Sequence, residues 1–382
     1  MASEKALALA LQNVALQNGY REGHYSIIQD DEHEFIGFGV QRRYRIVHSD
    51  EKTVLHLLVR TPPTSTVVAY ALMSQEVRFF NNVHYLTKVQ PLLKQYGVVP
   101  SAPKLYASSL VKNEEYLILE DLETKGFKRV NPSQGLNKAE FALVINTLST
   151  FHLTVRYWKT RNLSEFNHLC GQFKGTLTSQ NKDKFKDTYE VLLKKILNAV
   201  WVLSRQLYGN QLRKNIEDAL TDITKKILKS TSDVREQSWA TLANSSIWSP
   251  YLLFRYHTVT GGPIDVVFED WSATRISSPV IDLSFIGLAS SSTSLYPELQ
   301  NMLDQYFATH LSKEELQRHY PIYGVYGMYG SLIMNVGAAF ENEVLVQDFK
   351  SETLTEENSD VMPDIRTRVL SIVKTSIDLG II

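Results

Sequence analysis

Residues Ala243–Leu288 read ANSSIWSPYLLFRYHTVTGGPIDVVFEDWSATRISSPVIDLSFIGL. Apolar runs at Tyr251–Phe254 and Val266–Phe268 flank a turn signal at Gly261-Gly262, which predicts a two-strand hairpin over 251–268. Two acids, Glu269 and Asp270, follow the second strand directly. If strand alternation runs on, Glu269 faces away from the side that Asp270 takes. From Pro279 the pattern turns helical, with Asp282 set among apolar neighbours. Ahead of the hairpin, Asn244, Ser245 and Ser246 make a short polar loop before Trp248.

Outward from this stretch, the order of elements divides the chain into two lobes. Residues 1–122 read as a small lobe. Its opening stretch, MASEKALALALQNVALQNGY, fits an amphipathic helix capped by Ser3 and ended at Asn18-Gly19. A β-rich region covers about 25–60, with strands at Arg42–Val47 and Val54–Arg60. A helical period follows over Val67–Tyr96, then a short strand at Tyr116–Leu119. Residues 123–382 read as a larger helical lobe, with helices at Ala139–Trp158 and Lys184–Gln206 and an apolar stripe from Leu212 to Ile227. The loop and hairpin at 243–270 interrupt it, and Glu352–Asp360 reads as an acidic loop. The fold class is α+β, with a β-rich lobe holding one long helix ahead of a mainly helical lobe.

The chain has 382 residues, 43% of them hydrophobic, enough for two lobes with real cores. A net charge of −1 gives no steering toward nucleic acid, so none is expected as a partner. The single cysteine, Cys170, excludes an intrachain disulfide and a cysteine-based zinc site. No apolar run approaches the roughly 20 residues that span a bilayer. Acidic Glu4 argues against a signal peptide at the start, so the default expectation is a cytoplasmic chain, with secretion if an upstream leader exists. Two N-x-[ST] triplets, at Asn162 and Asn244, support secretion only faintly.

Three ordered segments resemble the ecdysteroid-kinase-like family of arthropods, in the choline/ethanolamine and aminoglycoside phosphotransferase branch of the kinase-like fold. They are APKLYASSLVKNEEYLILEDLETKGF (Ala102–Phe127), the preceding helix with Glu76 and Phe79-Phe80, and DVVFEDWSATRISSPVIDLSFIGL (Asp265–Leu288). The resemblance covers nearly the whole chain and implies a bilobal protein-kinase-like fold. Phosphoryl transfer needs placed cations, metal-holding acids and a base for the acceptor hydroxyl. The resemblance puts the phosphate-binding lysine on Arg60 and the helix acid that orients it on Glu76. It puts the phosphate-covering loop at Gly37–Arg43, where Gly37 and Gly39 are followed by bulky Val40, Gln41, Arg42 and Arg43. The hinge falls on Glu120-Asp121-Leu122.

The family's catalytic loop, H-G-D-x-W-x-x-N, aligns on Trp248. Its His falls on Asn244, its Gly on Ser245, its catalytic Asp on Ser246 and its metal-binding Asn on Tyr251. A hydroxyl does not accept a proton as a carboxylate does, and loss of a general base costs roughly 10²- to 10⁴-fold. The metal-binding Asp persists as Asp270, a weak metal ligand without its partner amide, and the resemblance leaves it free to pair with Arg60. Asp282 matches an acid that braces the catalytic loop, and His152 reads as a satisfied core histidine. Arg presents a planar fork in place of a compact ammonium, so Arg60 is not a conservative replacement.

These departures read as a pseudokinase, not an enzyme, with no cofactor expected and weak or absent ATP and Mg²⁺ binding. It would act by binding a protein or small-molecule partner. The alternatives are an atypical ATP-using small-molecule phosphotransferase and a carrier of a small apolar ligand. For the carrier, the aromatic run Tyr320–Gly330 (YPIYGVYGMYG) is the candidate wall.

Overall fold

The computed structural model describes residues 4–36, 39–62, 75–131, 134–175, 214, 223–339 and 363–382. The expected helix at Lys184–Gln206, most of the stripe from Leu212, the loop at Glu352–Asp360 and Gly37 lie outside the described residues.

The small lobe is a five-stranded antiparallel sheet in the order β1-β2-β3-β5-β4. Its strands are β1 (Tyr25–Ile36), β2 (Gly39–His48), β3 (Val54–Thr61), β4 (Leu105–Ser109) and β5 (Tyr116–Glu120). Helix α1 (Glu4–Gln17) covers one face, burying Leu7, Leu11 and Val14 against Tyr44, Ile46, Leu57, Val59 and Ile118. The alternate residues Leu58, Leu117 and Leu119 point the other way, into the main core beside helix α2 (Gln75–His84). Helix α2 runs on through a π turn, Tyr85–Val89, into Gln90–Leu93.

Two expectations change here. Residues Gly39–Arg43 are not a loop over the cleft: they are the start of β2, with Ile36 opposite Gly39 and Gln41 opposite Arg60. Strand β4 was not foreseen, because LYASS is half-buried at a sheet edge and lacks a two-residue apolar period.

The connector after β5 turns at Glu123–Lys125, closed by Gly126 at φ 84°, a conformation that favours glycine. It leads into β6 (Lys128–Arg129), which joins the predicted hairpin, β8 (Leu252–Tyr256) and β9 (Pro263–Phe268), in a three-stranded sheet. Helix α3 (Lys138–Arg161) starts at a capping box in which Asn137 accepts from Ala139 and Glu140 while Glu140 reaches back. Helix α4 (Leu163–Cys170) follows, then α5 (Ile223–Ser230), and β7 (Thr241–Ala243) pairs with β10 (Arg275–Ser277).

Among the described residues, the remaining helices are α6 (Val280–Ser290), α7 (Tyr296–His310), α8 (Lys313–His319), α9 (Val325–Ala339) and α10 (Pro363–Asp378). Helix α6 is buried along its whole length. Gly327 lets α9 approach it so closely that a Cβ there would lie 2.5 Å from the Phe285 backbone nitrogen. The run Tyr320–Gly330 therefore packs as core, with Tyr320, Tyr323, Tyr326 and Tyr329 all buried.

Among the described residues, no helix is long and apolar enough to cross a membrane. Cys170 is buried, and burial pushes its thiol far above the reactive range. Asn244 is buried, and Asn162 caps α4 by accepting from the Glu165 N–H while its amide nitrogen donates to the Glu165 carboxylate at 3.3 Å.

Candidate active-site cleft

The loop before the hairpin is held by one carboxylate. Asp282, fully buried in the first turn of α6, accepts the backbone N–H of Asn244 at 3.0 Å and of Ser245 at 2.6 Å. His152 of α3 meets the same carboxylate through Nε2 at 3.0 Å, and its Nδ1 meets the Tyr306 hydroxyl. The loop's far end is pinned where the Ser249 N–H donates to the Ser290 hydroxyl. Trp248 is buried and packs edge-on against Tyr251.

Ser245 adopts φ +59° although it is not glycine. That conformation crowds a Cβ and costs about 1–2 kcal/mol. Its hydroxyl is also buried without a hydrogen-bond partner. Ser245→Gly is expected to stabilise the fold by about 1 kcal/mol, after the greater freedom of glycine in the unfolded chain is subtracted. Chemical denaturation checks this, and a lower midpoint for the variant contradicts it.

Asp270 sits two residues beyond the end of the hairpin, nearly fully buried. Its Oδ1 accepts from the Asn82 amide at 3.1 Å and lies 3.6 Å from Arg60 Nη1, an ion-pair separation longer than a hydrogen bond. Its Oδ2 accepts from the Ser272 hydroxyl at 2.6 Å and has the Ser246 hydroxyl at 3.3 Å. Ser246 also lies 3.0 Å from Asn244 Oδ1, so its one proton has two acceptors in reach. The Asn244 amide donates to the Asp270 carbonyl at 2.7 Å.

The arginine at the end of β3 takes a different main partner from the one the sequence predicts. Arg60 Nη2 donates to Glu269 Oε2 at 2.8 Å. Glu269 faces the cleft because β9 ends at Phe268 and strand alternation stops there. Arg129 grips the same carboxylate with Nη2 at 2.8 Å and Nη1 at 2.9 Å, while Nη1 also donates to the Pro250 carbonyl at 2.7 Å. Gln41, with its amide oxygen turned toward Arg60, accepts from Nη2 at 2.7 Å and Nε at 3.2 Å. Tyr251 lies under the guanidinium, with Arg60 Cζ 5.5 Å from its ring centre. Burial pushes the Glu269 carboxyl up, but the charges of Arg129 and Arg60 outweigh it and hold the group below the usual glutamate range.

Glu76 does not join this cluster. It is half exposed on α2, 3.8 Å from Lys174. Helix α2 reaches the cleft through two buried asparagines instead. Asn81 donates to the Ser272 and Lys174 carbonyls and accepts from the Lys174 N–H. Asn82 donates to Asp270 and accepts from the Trp271 N–H at 2.8 Å. Trp271 in turn stacks on Tyr85. The adjacent pair of amides on a helix face otherwise set with Phe79 and Leu86 was the available signal, since Asn is a poor helix former.

At the connector, Glu120 pairs with Lys125. Asp121 is buried, its carboxyl pushed up by burial, and it accepts from the Glu123 N–H. Leu122 packs with Phe127, Leu253 and Val267 as a small apolar cluster. Gly39 lies in β2 opposite Ile36.

A magnesium centre does not fit this donor set. The oxygens of Asp270 already meet an amide, two hydroxyls and a guanidinium. The second acid, Glu269, is committed to two arginines. Position 251 offers a ring in place of an amide oxygen. A divalent cation here would have to displace Arg60 and compete with its charge.

A model of the ecdysteroid kinase-like family matches residues 38–318. No curated protein matches the chain. Among solved structures, the chain is similar to a spectinomycin phosphotransferase, with 13% identity over 97% of this chain and 98% of that one, at a TM-score of 0.49. It is also similar to the choline kinase LicA of Streptococcus pneumoniae, with 11% identity over 98% of this chain and all of that one, at a TM-score of 0.45. The family model spans well over half of the sequence, from the start of β2 to α8, and the chain belongs to the ecdysteroid kinase-like family.

Proposed function

We propose that this chain is a catalytically inactive member of its family, a pseudokinase that acts by binding a protein or small-molecule partner. The observation that carries the reading is the state of Asp270, whose carboxylate is already met by Asn82, Ser272, Ser246 and Arg60. A metal acid in a working site keeps lone pairs for the metal; this one has its charge compensated from within. Ser246 supplies no carboxylate to take the acceptor's proton. Arg60 spends Nη2 on Glu269 and is seated on Tyr251, so only its buried Nη1, which has no hydrogen-bond acceptor, would remain to meet a phosphate.

The same features weigh against the atypical transferase, because the two acids that follow β9, Asp270 and Glu269, are both paired with arginines. Incubation with ATP, Mg²⁺ and ecdysteroid, choline or ethanolamine is expected to yield no phosphorylated product above a no-protein control. Clear turnover with any of these acceptors sinks the proposal.

A further inference from the structure

The ion pairs of the cleft form one continuous ladder of alternating charge. Asp270 stands 3.6 Å from Arg60, and Arg60 is 2.8 Å from Glu269. Glu269 is 2.8 Å from Arg129, and Arg129 is 2.9 Å from Glu123. Glu123 is 2.8 Å from Arg43, and Arg43 is 3.5 Å from Asp121. The rungs come from different parts of the fold. Arg60 and Arg43 belong to β3 and β2 of the small lobe. Arg129 belongs to β6 of the large lobe's hairpin sheet, Glu269 and Asp270 follow directly on its strand β9, and Asp121 and Glu123 belong to the connector.

We propose that this ladder is a built-in latch that holds the two lobes in one closed arrangement with no ligand between them. Every cation is flanked by acids on both sides, so no charge has to be matched from outside. The middle is dry: the side chains of Arg60 and Glu269 are 6% and 2% exposed, so salt and water screen them little. The connector end is wetter, with Glu123 33% exposed. Removing a central acid leaves Arg60 and Arg129 facing each other across the lobe boundary without the carboxylate they share. Low local dielectric makes such a network cooperative, so one missing rung weakens the rest. The latch does not depend on whether the chain transfers phosphate.

The test is the distance between lobes. Exposed positions on rigid helices, Gln12 of α1 and Thr150 of α3, take Gln12→Cys and Thr150→Cys spin labels, while buried Cys170 stays unlabelled. Pulsed dipolar EPR on the full chain is expected to give one narrow distance, unchanged by ATP with Mg²⁺. Glu269→Gln is expected to widen that distribution and shift it to longer distances. Should Glu269→Gln fail to fold, Glu123→Gln, at the wetter rung, is expected to give a smaller widening of the same kind. A broad distribution in the parent, or a folded variant with the parent's distribution, overturns the latch. Phosphotransfer by a parent with a narrow distance would overturn the functional proposal and leave the latch standing.

Discussion

Glu269→Ala is expected to destabilise the fold by roughly 3–5 kcal/mol, the range for breaking a buried ion pair by removing one partner. The carboxylate serves Arg60 and Arg129 together, and both guanidiniums are mostly buried. Without it they keep their charges and lose their common acceptor. Much of the cost is therefore that two buried cations lose their closest carboxylate at once. The effect should depend on pH in one direction. The folded carboxyl titrates below its unfolded value, so it adds stability at all pH values above that value. That contribution begins to fade once the pH falls to the unfolded glutamate value of about 4.3, and disappears below the depressed folded value. Denaturation of wild type and Glu269→Gln across pH 3–7 checks both points. A gap between the two proteins that grows on acidification contradicts this assignment.

Asp282→Ala is expected to cost on the order of 4 kcal/mol, for a different reason. Its carboxylate is the acceptor for two buried backbone N–H groups and for the His152 ring. Each orphaned donor costs about 1–3 kcal/mol, and a site with no exposure gives water little entry. The loss should be local before it is global, with faster hydrogen exchange at Asn244 and Ser245 than in β8 and β9. Unchanged exchange at those two amides would mean that Asp282 does not hold the loop. Because this brace lies under the loop rather than in the cleft, its role survives whatever happens to the chemistry above it.

The elements set by local pattern were readable from the chain. The hairpin follows from two apolar runs around Gly261-Gly262, and helix α3 from its period after Asn137. The β-rich small lobe and the large helical lobe followed from such signals, and the family resemblance from the ordered motifs at Ala102–Phe127 and Asp265–Leu288. What was not readable depends on partners far apart in sequence. Glu269 looked turned away because strand alternation was carried one residue too far. The β9 strand ends at Phe268, and the backbone beyond it turns both acids toward the cleft. Arg129 lies 140 residues from Glu269, and nothing in FKRVNP marks it as a clamp. Asn82 lies 188 residues from Asp270. Glu76 drew attention as the acid due to orient Arg60, and that duty has moved to Glu269. The stretch Gly39–Arg43 was assigned to a loop by the family resemblance alone, although Val40 and Gln41 are buried in the sheet.

These displaced roles share one physical theme. Ser246, Arg60 and Asp270, which the family resemblance sets against an acceptor proton, a phosphate and a metal, each have partners within the chain. Ser246 shares its proton between Asn244 and Asp270. Arg60 is shared by Glu269, Asp270, Gln41 and Tyr251. The most direct check on this self-compensation is thermal unfolding of the full chain against rising ATP in the presence and absence of Mg²⁺. A ligand held at a hundred times its Kd raises stability by about 2.7 kcal/mol, a plain shift in Tm. No Mg²⁺-dependent shift is expected at millimolar ATP; a saturable rise in Tm that requires both ATP and Mg²⁺ would contradict a cleft neutralised from within.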